Sequence, residues 1–296
     1  MKAYLIRTFL GCVSICLPSL SMSSTSVDIC QEPATESHLS IAYYKNETTS
    51  FEGNLGELDR EDYSTDLLFK LNDNWSIGGG HRSVILDVAP LQLQTNGYLH
   101  TFFLPVHRFS QSGETSFRFS FAPVLSASSN VTSDLDEYTS DALQLLAAFV
   151  WDKQTSERVS WRYGICGDHR LGGYKVYPLL SVSWQPHADW TFEVGFPTSQ
   201  LSHQATERLS WFFRIAPNGN EWYVKDKSLE KHSQLVYEAY VIEWAINWRA
   251  HEHLMLTASV GREINSEYEM TLIDESRVRL SSDSTTRVGV VLAWFF

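Results

Sequence analysis

The closing stretch of the chain, TRVGVVLAWFF at 286–296, alternates with a period of two. Every even position from 288 onward is apolar, whereas the odd positions mix arginine, glycine, valine, alanine and phenylalanine. Because successive side chains of a β-strand point to opposite faces, this alternation predicts a strand with one uniformly apolar face. The residues of that face are Val288, Val290, Leu292, Trp294 and Phe296.

A final strand of this kind, with an aromatic last residue and apolar residues at every second position before it, resembles the terminal strand of Gram-negative outer-membrane β-barrels. There the strand is the signal read by the barrel-assembly machinery. The resemblance implies the same role for the five residues of the apolar face. The alternation by itself also suits the last strand of a soluble β-sandwich, so both alternatives stay open at this point.

The rest of the chain repeats the pattern, with short polar breaks and longer polar stretches alternating between segments of strand length. Short turns at one end and longer loops at the other are typical of outer-membrane barrels. No segment after residue 24 reaches the 18 consecutive apolar residues that a membrane helix needs. A membrane-spanning chain of this composition is therefore a closed barrel.

The sequence predicts an all-β fold, a transmembrane antiparallel up-and-down β-barrel of 12 to 14 strands. The clear segments number 13, but a single-chain bacterial barrel needs an even count. A short return strand at 199–203 would make 14. If the first segment, 39–45, lay outside the wall, the count would be 12. The stretch 263–284 is interpreted as a hairpin that extends the last two strands beyond the outer rim.

Aromatic residues fall near the ends of the predicted strands, as expected for rings at a membrane interface. A soluble sandwich would more often bury its tryptophans centrally, so this placement favours the membrane barrel. The tryptophans near the short turns are Trp75, Trp151, Trp184, Trp190, Trp248 and Trp294. The tyrosines near the longer loops are Tyr98, Tyr138, Tyr174, Tyr177, Tyr237 and Tyr240.

The N-terminus has the order of a secretory signal: two basic residues, the apolar run TFLGCVSICLPSL, and small residues. We predict a signal peptide at 1–24 and a barrel domain at 25–296. Cleavage leaves Cys30 and Cys166, which the predicted topology places at opposite ends of the barrel. A bond between them would require the N-terminal segment to thread the lumen as a plug. Otherwise both stay unpaired, which the geometric demands of a disulfide favour.

Charged residues also occur on the strand faces opposite the apolar ones. They predict either a salt-bridged and mostly closed lumen or a narrow wet channel, because wide aqueous pores usually need 16 or more strands. The arginines among them would favour anionic solutes if the lumen conducts. These lumen-lining candidates are Asp66, Lys70, Arg118, Arg158, Arg162, Lys175, Glu193, Glu243 and Arg287.

The net charge of −12 argues against nucleic acid as a partner, since phosphate binding needs a basic face. No cofactor and no metal site is predicted. For a lipid hydrolase, the nearest pair of side chains is Ser202 and His203. Chain neighbours in a strand point to opposite faces, so these two cannot act together as nucleophile and base there.

The predicted signal, the tryptophan-ended hairpins and the segments PLLSVSWQPHADWTFEVGFPTSQLS (178–202) and EHLMLTASVGREINSEYEMTLIDESRVRLSSDSTTRVGVVLAWFF (252–296) resemble a proteobacterial outer-membrane β-barrel family of unknown function. The resemblance covers nearly the whole mature chain and implies fold and location, but it transfers no catalytic residue.

The sequence therefore predicts a porin-like protein of the bacterial outer membrane. It would be a narrow channel or transporter, or a structural envelope protein. Its expected partners are outer-membrane lipid, lipopolysaccharide and the barrel-assembly machinery. The alternatives are a barrel-embedded lipid hydrolase and a soluble exported β-sandwich binding protein.

Overall fold

The computed structural model describes residues 28–31, 36–53, 56–89, 97–132, 142–226, 231–271 and 277–296. The predicted signal peptide at 1–24 lies outside these residues and stays a prediction. The described residues form eighteen strands and one short helix. The elements are β1 (His38–Asn46), β2 (Thr49–Ser50), β3 (Glu57–Asn72), β4 (Trp75–Ala89), β5 (Tyr98–Phe103), β6 (Val106–Ser112), β7 (Thr115–Ser128), α1 (Ser129–Thr132), β8 (Leu143–Ser156), β9 (Val159–Asp168), β10 (Lys175–His187), β11 (Trp190–Phe196), β12 (Ser199–Thr206), β13 (Leu209–Pro217), β14 (Asn220–Asp226), β15 (Lys231–His251), β16 (Leu254–Thr271), β17 (Arg277–Ser282) and β18 (Thr285–Phe295).

The strands close into an antiparallel barrel with fourteen wall positions. The first and last strands pair along their length, from His38 opposite Phe295 to Asn46 opposite Arg287. β5 and β6 share one wall position, since both pair with β4 on one side and β7 on the other. They are separated at Leu104 and Pro105, where proline has no N–H to donate to the ladder. The remaining wall strands are β3, β8 to β13, β15 and β16.

This closure confirms the predicted barrel and decides its strand count. β12 supplies the return strand expected at 199–203, and β1 belongs to the wall, so the 12-strand alternative is wrong. The soluble sandwich is also wrong, because one continuous sheet closes on itself. The hairpin expected at 263–284 is present: β16 continues to Thr271 and pairs with β17 from Ser266 opposite Ser282.

The outer face of the wall is apolar all round. The four predicted outward residues of β18 and Phe296, which follows it, are exposed, Val288 and Trp294 by 50% each, whereas the alternate residue Ala293 is 1% exposed. Trp75, Trp184 and Trp248 also point outward. The expected outer ring of tyrosines is only partly present: Tyr98 and Tyr174 are exposed, but Tyr177 and Tyr237 are buried in the interior because their positions have inward parity. Tyr138 lies outside the described residues.

Two segments that are not wall strands lie inside the barrel. One is the N-terminal segment Asp28–Gln31, and the other is β14, which follows wall strand β13. Ile29 packs with inner-face residues of β5 and of β7 to β10, and Trp222 of β14 packs with inner-face residues of β3, β4, β5, β15 and β16. The interior is therefore filled by the chain itself. No helix among the described residues is long and apolar enough to cross a membrane.

Candidate functional site in the barrel lumen

The N-terminal segment Asp28–Gln31, called the plug below, is held inside the barrel. Ile29 and Cys30 are 2% and 3% exposed and pack against Val124 and Leu146 on the inner wall. Cys30 forms a disulfide with Cys166 of β9, with 5.8 Å between the two Cα atoms. The expectation that the cysteines stay unpaired is therefore wrong, because the plug enters the lumen and reaches the wall where Cys166 lies.

Arg118 of β7 binds the backbone of the plug. Its guanidinium donates hydrogen bonds to the carbonyl oxygens of Ile29 and Cys30, each at 3.0 Å, and to that of Gln31. The arginine is 3% exposed, and hydrogen bonds with an ionised donor are the strong kind. This side chain, expected to line the lumen, thus fixes three successive carbonyl groups of the plug.

Arg170, in the loop after β9, binds the side chain of the plug's first described residue. Its Nε donates to the Asp168 carboxylate at 2.7 Å, and its Nη2 donates to the Tyr177 hydroxyl at 2.9 Å. The remaining Nη1 contacts the carboxylate of Asp28. Asp28 Oδ1 also accepts the backbone N–H groups of Cys30 and Gln31, each at 3.1 Å. The plug is therefore held to the wall by a disulfide, by hydrogen bonds from Arg118 to its backbone carbonyls and by the ion pair of Asp28 with Arg170.

β14, called the inner strand below, crosses the lumen between opposite walls. It pairs with β15 on one side and makes a parallel bridge to β7, Tyr223 opposite Ala127, on the other. Trp222 is 1% exposed, and its indole Nε1 donates to Thr101 Oγ1 at 3.2 Å. Ser126 Oγ donates to the Glu221 carbonyl at 2.6 Å. Sequence reasoning missed this strand, although the continuous run WYV at 222–224 is typical of a strand buried on both faces.

A small cavity of about 30 Å³, lined by both charged and apolar side chains, lies between the plug and the inner strand. That volume has room for about one or two water molecules. Beside it, Nδ1 of His169 lies 3.2 Å from the Glu221 carboxylate, and this contact lowers the pKa of Glu221 below its ordinary value. The lining residues are Asp28, Arg82, Val124, Leu146, Asp168, His169, Arg170, Pro217, Asn218, Gly219 and Asn220.

A cluster of buried charges fills the lumen near β3, β4 and β18. Asp62 lies 2.9 Å from Arg82 and 3.1 Å from Arg60, and Arg287 lies 3.9 Å from it. Glu263 lies 3.8 Å from Arg60. Buried charges are tolerated when they pair, so these distances favour the salt-bridged alternative over an open water-filled bore.

Of the nine predicted lumen residues, three are deeply buried and three are partly buried. Arg118 and Arg287 have the contacts described above, and Glu243 lies 2.5 Å from Arg214. Arg162 pairs with Asp152 at 2.7 Å and with Glu193 at 3.3 Å. Asp66 accepts a hydrogen bond from Ser40 Oγ at 3.4 Å.

The other three lie exposed at the two ends of the barrel. Lys70 pairs with Asp73 at 3.1 Å in the turn after β3, and Arg158 occupies the turn before β9. Lys175, at the start of β10, lies 3.3 Å from Glu238. All three occupy alternate positions whose side chains face inward, but they lie at the strand ends, beyond the filled part of the lumen.

Sequence reasoning also missed members of the buried cluster. Arg60 lies on the inward face of β3, between the exposed Asp59 and the half-buried Glu61. Arg82 lies on the inward face of β4, where it alternates with outward residues, and this alternation was the available signal.

The pair considered for hydrolysis does not form a site. The His203 ring stacks on Trp190 with 4.2 Å between ring centroids, whereas Ser202 accepts a hydrogen bond from Gln200 Nε2 at 2.8 Å. Adjacent positions in β12 point to opposite faces, as the sequence predicts.

Several solved outer-membrane proteins are similar to this chain at low identity. The COG4313 outer membrane channel from Pseudomonas putida F1 is 8% identical, with 91% of this chain and 98% of that chain covered and a TM-score of 0.47. The KdgM porin in complex with disordered oligogalacturonate is 8% identical, with 87% and 99% covered and a TM-score of 0.38. The Pseudomonas putida toluene transporter TodX is 11% identical, with 88% and 89% covered and a TM-score of 0.35. Because all three TM-scores lie below 0.5, we infer nothing about this chain from them.

No curated protein shows significant sequence similarity to the chain. The family model described as Domain of unknown function (DUF6268) matches residues 114–276, more than half of the 296 residues. The chain therefore belongs to this family of unknown function, which confirms the family resemblance found in its sequence.

Proposed function

We propose that the protein is an outer-membrane β-barrel that forms a narrow channel, closed in the state described here by the plug and the inner strand. Its outer face exposes many large apolar side chains while its interior contains buried charges, and an exposed apolar surface of this extent supports a lipid environment. The terminal strand, with its five outward apolar residues, would be the signal for the barrel-assembly machinery. Lipid and lipopolysaccharide would contact the apolar face.

The way in which the lumen is filled favours a channel over a purely structural barrel. Small structural barrels can be filled by the side chains of their own walls. Here the lumen is filled by segments outside the wall, and once the disulfide is broken the plug keeps its polar contacts with Arg118 and Arg170 beside a small cavity. Water can replace polar contacts of this kind when the segment moves, so a conducting path is available without unfolding the wall.

Conductance in a planar lipid bilayer tests the proposal. The purified protein with its disulfide intact is compared with a double variant, Cys30→Ser with Cys166→Ser, which removes the covalent tether. Heat-dependent gel mobility first confirms that each protein is a folded barrel. We expect rare or no current steps from the tethered protein and frequent discrete steps from the double variant.

The matched control is Arg279→Ala, a change in the outer hairpin where the side chain is 63% exposed and pairs with glutamates. It should behave as the tethered protein does. Continued silence from a folded double variant, even with the plug segment deleted, would leave a structural envelope role as the better account. Fractionation of cell envelopes tests the proposed location separately.

A further inference from the structure

We propose that Arg170 is a binding residue for small carboxylate solutes in the lumen, and that Asp28 of the plug occupies the place of such a solute in the closed barrel. This inference rests on the proposed channel function, because a solute must be able to enter the lumen. It adds a chemical class of solute and the residue that selects it.

The guanidinium of Arg170 is held in a fixed orientation by the wall. Asp168, the last residue of β9, accepts from Nε at 2.7 Å, and Tyr177 of β10 accepts from Nη2 at 2.9 Å. Tyr177 in turn donates to Asp168 Oδ2 at 2.8 Å. These three side chains form a closed triangle of hydrogen bonds that leaves Nη1 directed at the plug. A planar guanidinium fixed in this way suits recognition of a carboxylate.

Asp28 differs from the other partners of Arg170 because it belongs to the plug and not to the wall. Apart from Arg170, its recorded hydrogen-bond partners are the backbone N–H groups of Cys30 and Gln31, which are also in the plug. When the plug moves, the carboxylate and both amides move together. Asp168 and Tyr177 stay with the wall, so Arg170 keeps its orientation and presents Nη1 to the cavity.

Departure of the plug also changes the charge around the cavity. The lining contains two aspartates, Asp28 and Asp168, and two arginines, Arg82 and Arg170, which balance. Without Asp28 the lining loses one negative charge: Arg82 stays 2.9 Å from Asp62 of the wall, and Arg170 keeps Asp168 as a partner while its Nη1 is released. An open lumen should therefore prefer anions, and carboxylates in particular.

The test uses the tether-free double variant, Cys30→Ser with Cys166→Ser, as the background. Three further changes are made on it: Arg170→Ala, Arg170→Lys and, as the matched control, Arg279→Ala. Reversal potentials in a potassium chloride gradient give the anion preference, and added potassium acetate measures block of the chloride current. Arg170→Gln replaces Arg170→Ala if the alanine variant does not assemble into a heat-modifiable barrel.

We expect the background and the Arg279→Ala control to prefer chloride over potassium by roughly fivefold, the effect of one unit charge at contact distance in water. Acetate should reduce their chloride current. Arg170→Ala should bring the preference close to one and abolish block by acetate. Arg170→Lys should keep the preference but lose most of the acetate block, because an ammonium group is a point charge without the planar fork.

The outcomes separate the inference from the proposed function. Discrete current steps with the same selectivity and acetate block in Arg170→Ala as in the background would overturn the role of Arg170 and leave the channel standing. Absence of current from every folded tether-free variant would overturn the channel, and the solute site with it.

Discussion

Replacement of Arg118 by alanine should loosen the plug by an amount that follows from its three hydrogen bonds. The guanidinium donates to three successive carbonyl groups of residues 29–31 and is almost completely buried. A hydrogen bond to a charged group contributes roughly 1.5 to 3 kcal/mol, so the lower value gives about 4.5 kcal/mol for three. Water can bind the released carbonyls, which reduces the expected loss to about 3 kcal/mol. That free energy corresponds to a roughly 150-fold change in the docked population.

The docked population is measured in the tether-free double variant, Cys30→Ser with Cys166→Ser, where the disulfide does not mask the effect. The measurement is hydrogen exchange at the backbone amides of residues 30 and 31. The docked plug lies inside the barrel, where Cys30 is 3% exposed, and its amides reach solvent when the plug leaves, so their protection reports docking. Arg118→Lys keeps the positive charge but loses the planar guanidinium with its several fixed donors, and it should show an intermediate loss of protection. A change smaller than roughly fivefold in Arg118→Ala, equivalent to about 1 kcal/mol, would refute the assigned role of Arg118.

Three further predictions concern the wall, the inner strand and the terminus. Glu243→Ala removes the carboxylate 2.5 Å from buried Arg214 and should lower the free energy of unfolding by about 3 to 5 kcal/mol, measured by urea titration of the lipid-embedded protein. The double variant Glu243→Leu with Arg214→Met should recover most of this loss, because it leaves no unpaired buried charge. Contact with His169 lowers the pKa of Glu221 in the folded barrel. This contact therefore stabilises the folded barrel fully above the ordinary pKa of glutamate, and its contribution is lost as the pH falls through the lowered pKa of Glu221. Hydrogen exchange of the inner strand should therefore speed up as the pH falls below the ordinary pKa of a glutamate, and equal pH dependence in Glu221→Gln would contradict this cause. Deletion of Phe296 should reduce the amount of heat-modifiable barrel in the outer membrane, and unchanged amounts would count against a signal in the last strand.

The outer face of the barrel was predictable because every wall strand meets the same surroundings. An apolar exterior imposes a period of two on each strand, so the exposed positions of β18 could be named from the sequence alone. The strand count needed the pairing partners of β1 and β12, which a sequence pattern does not contain. Tyr177 and Tyr237 show the limit of reading strand ends from a sequence. Their distance from the strand ends predicts the ring of tyrosines at the membrane interface, but they occupy inward-facing positions and are buried inside the barrel.

The contents of the lumen were much less predictable, because they depend on contacts between distant parts of the chain. Asp28 and Arg170 are 142 residues apart, and Arg118 is 87 to 89 residues from the carbonyls it binds. A residue such as Arg118 could be placed on the inner face, but nothing in a period of two says what that face touches. The disulfide illustrates this point, since Cys30 and Cys166 looked too distant until the plug was known to enter the lumen.

The barrel closes where β1 pairs with β18, and the plug can enter the lumen either before or after this step. The plug precedes β1 in the chain and lies inside a cylinder that is completed only when β1 pairs with β18. If the segment enters before that pairing, the closing wall encloses it; if it enters afterwards, it must pass through the mouth of a finished barrel. Early entry also brings Cys30 close to β9 while the sheet is still open. Pairing of the last strand with β1 is therefore the step that separates entry of the plug from the side, through the open sheet, from entry through the mouth of the barrel.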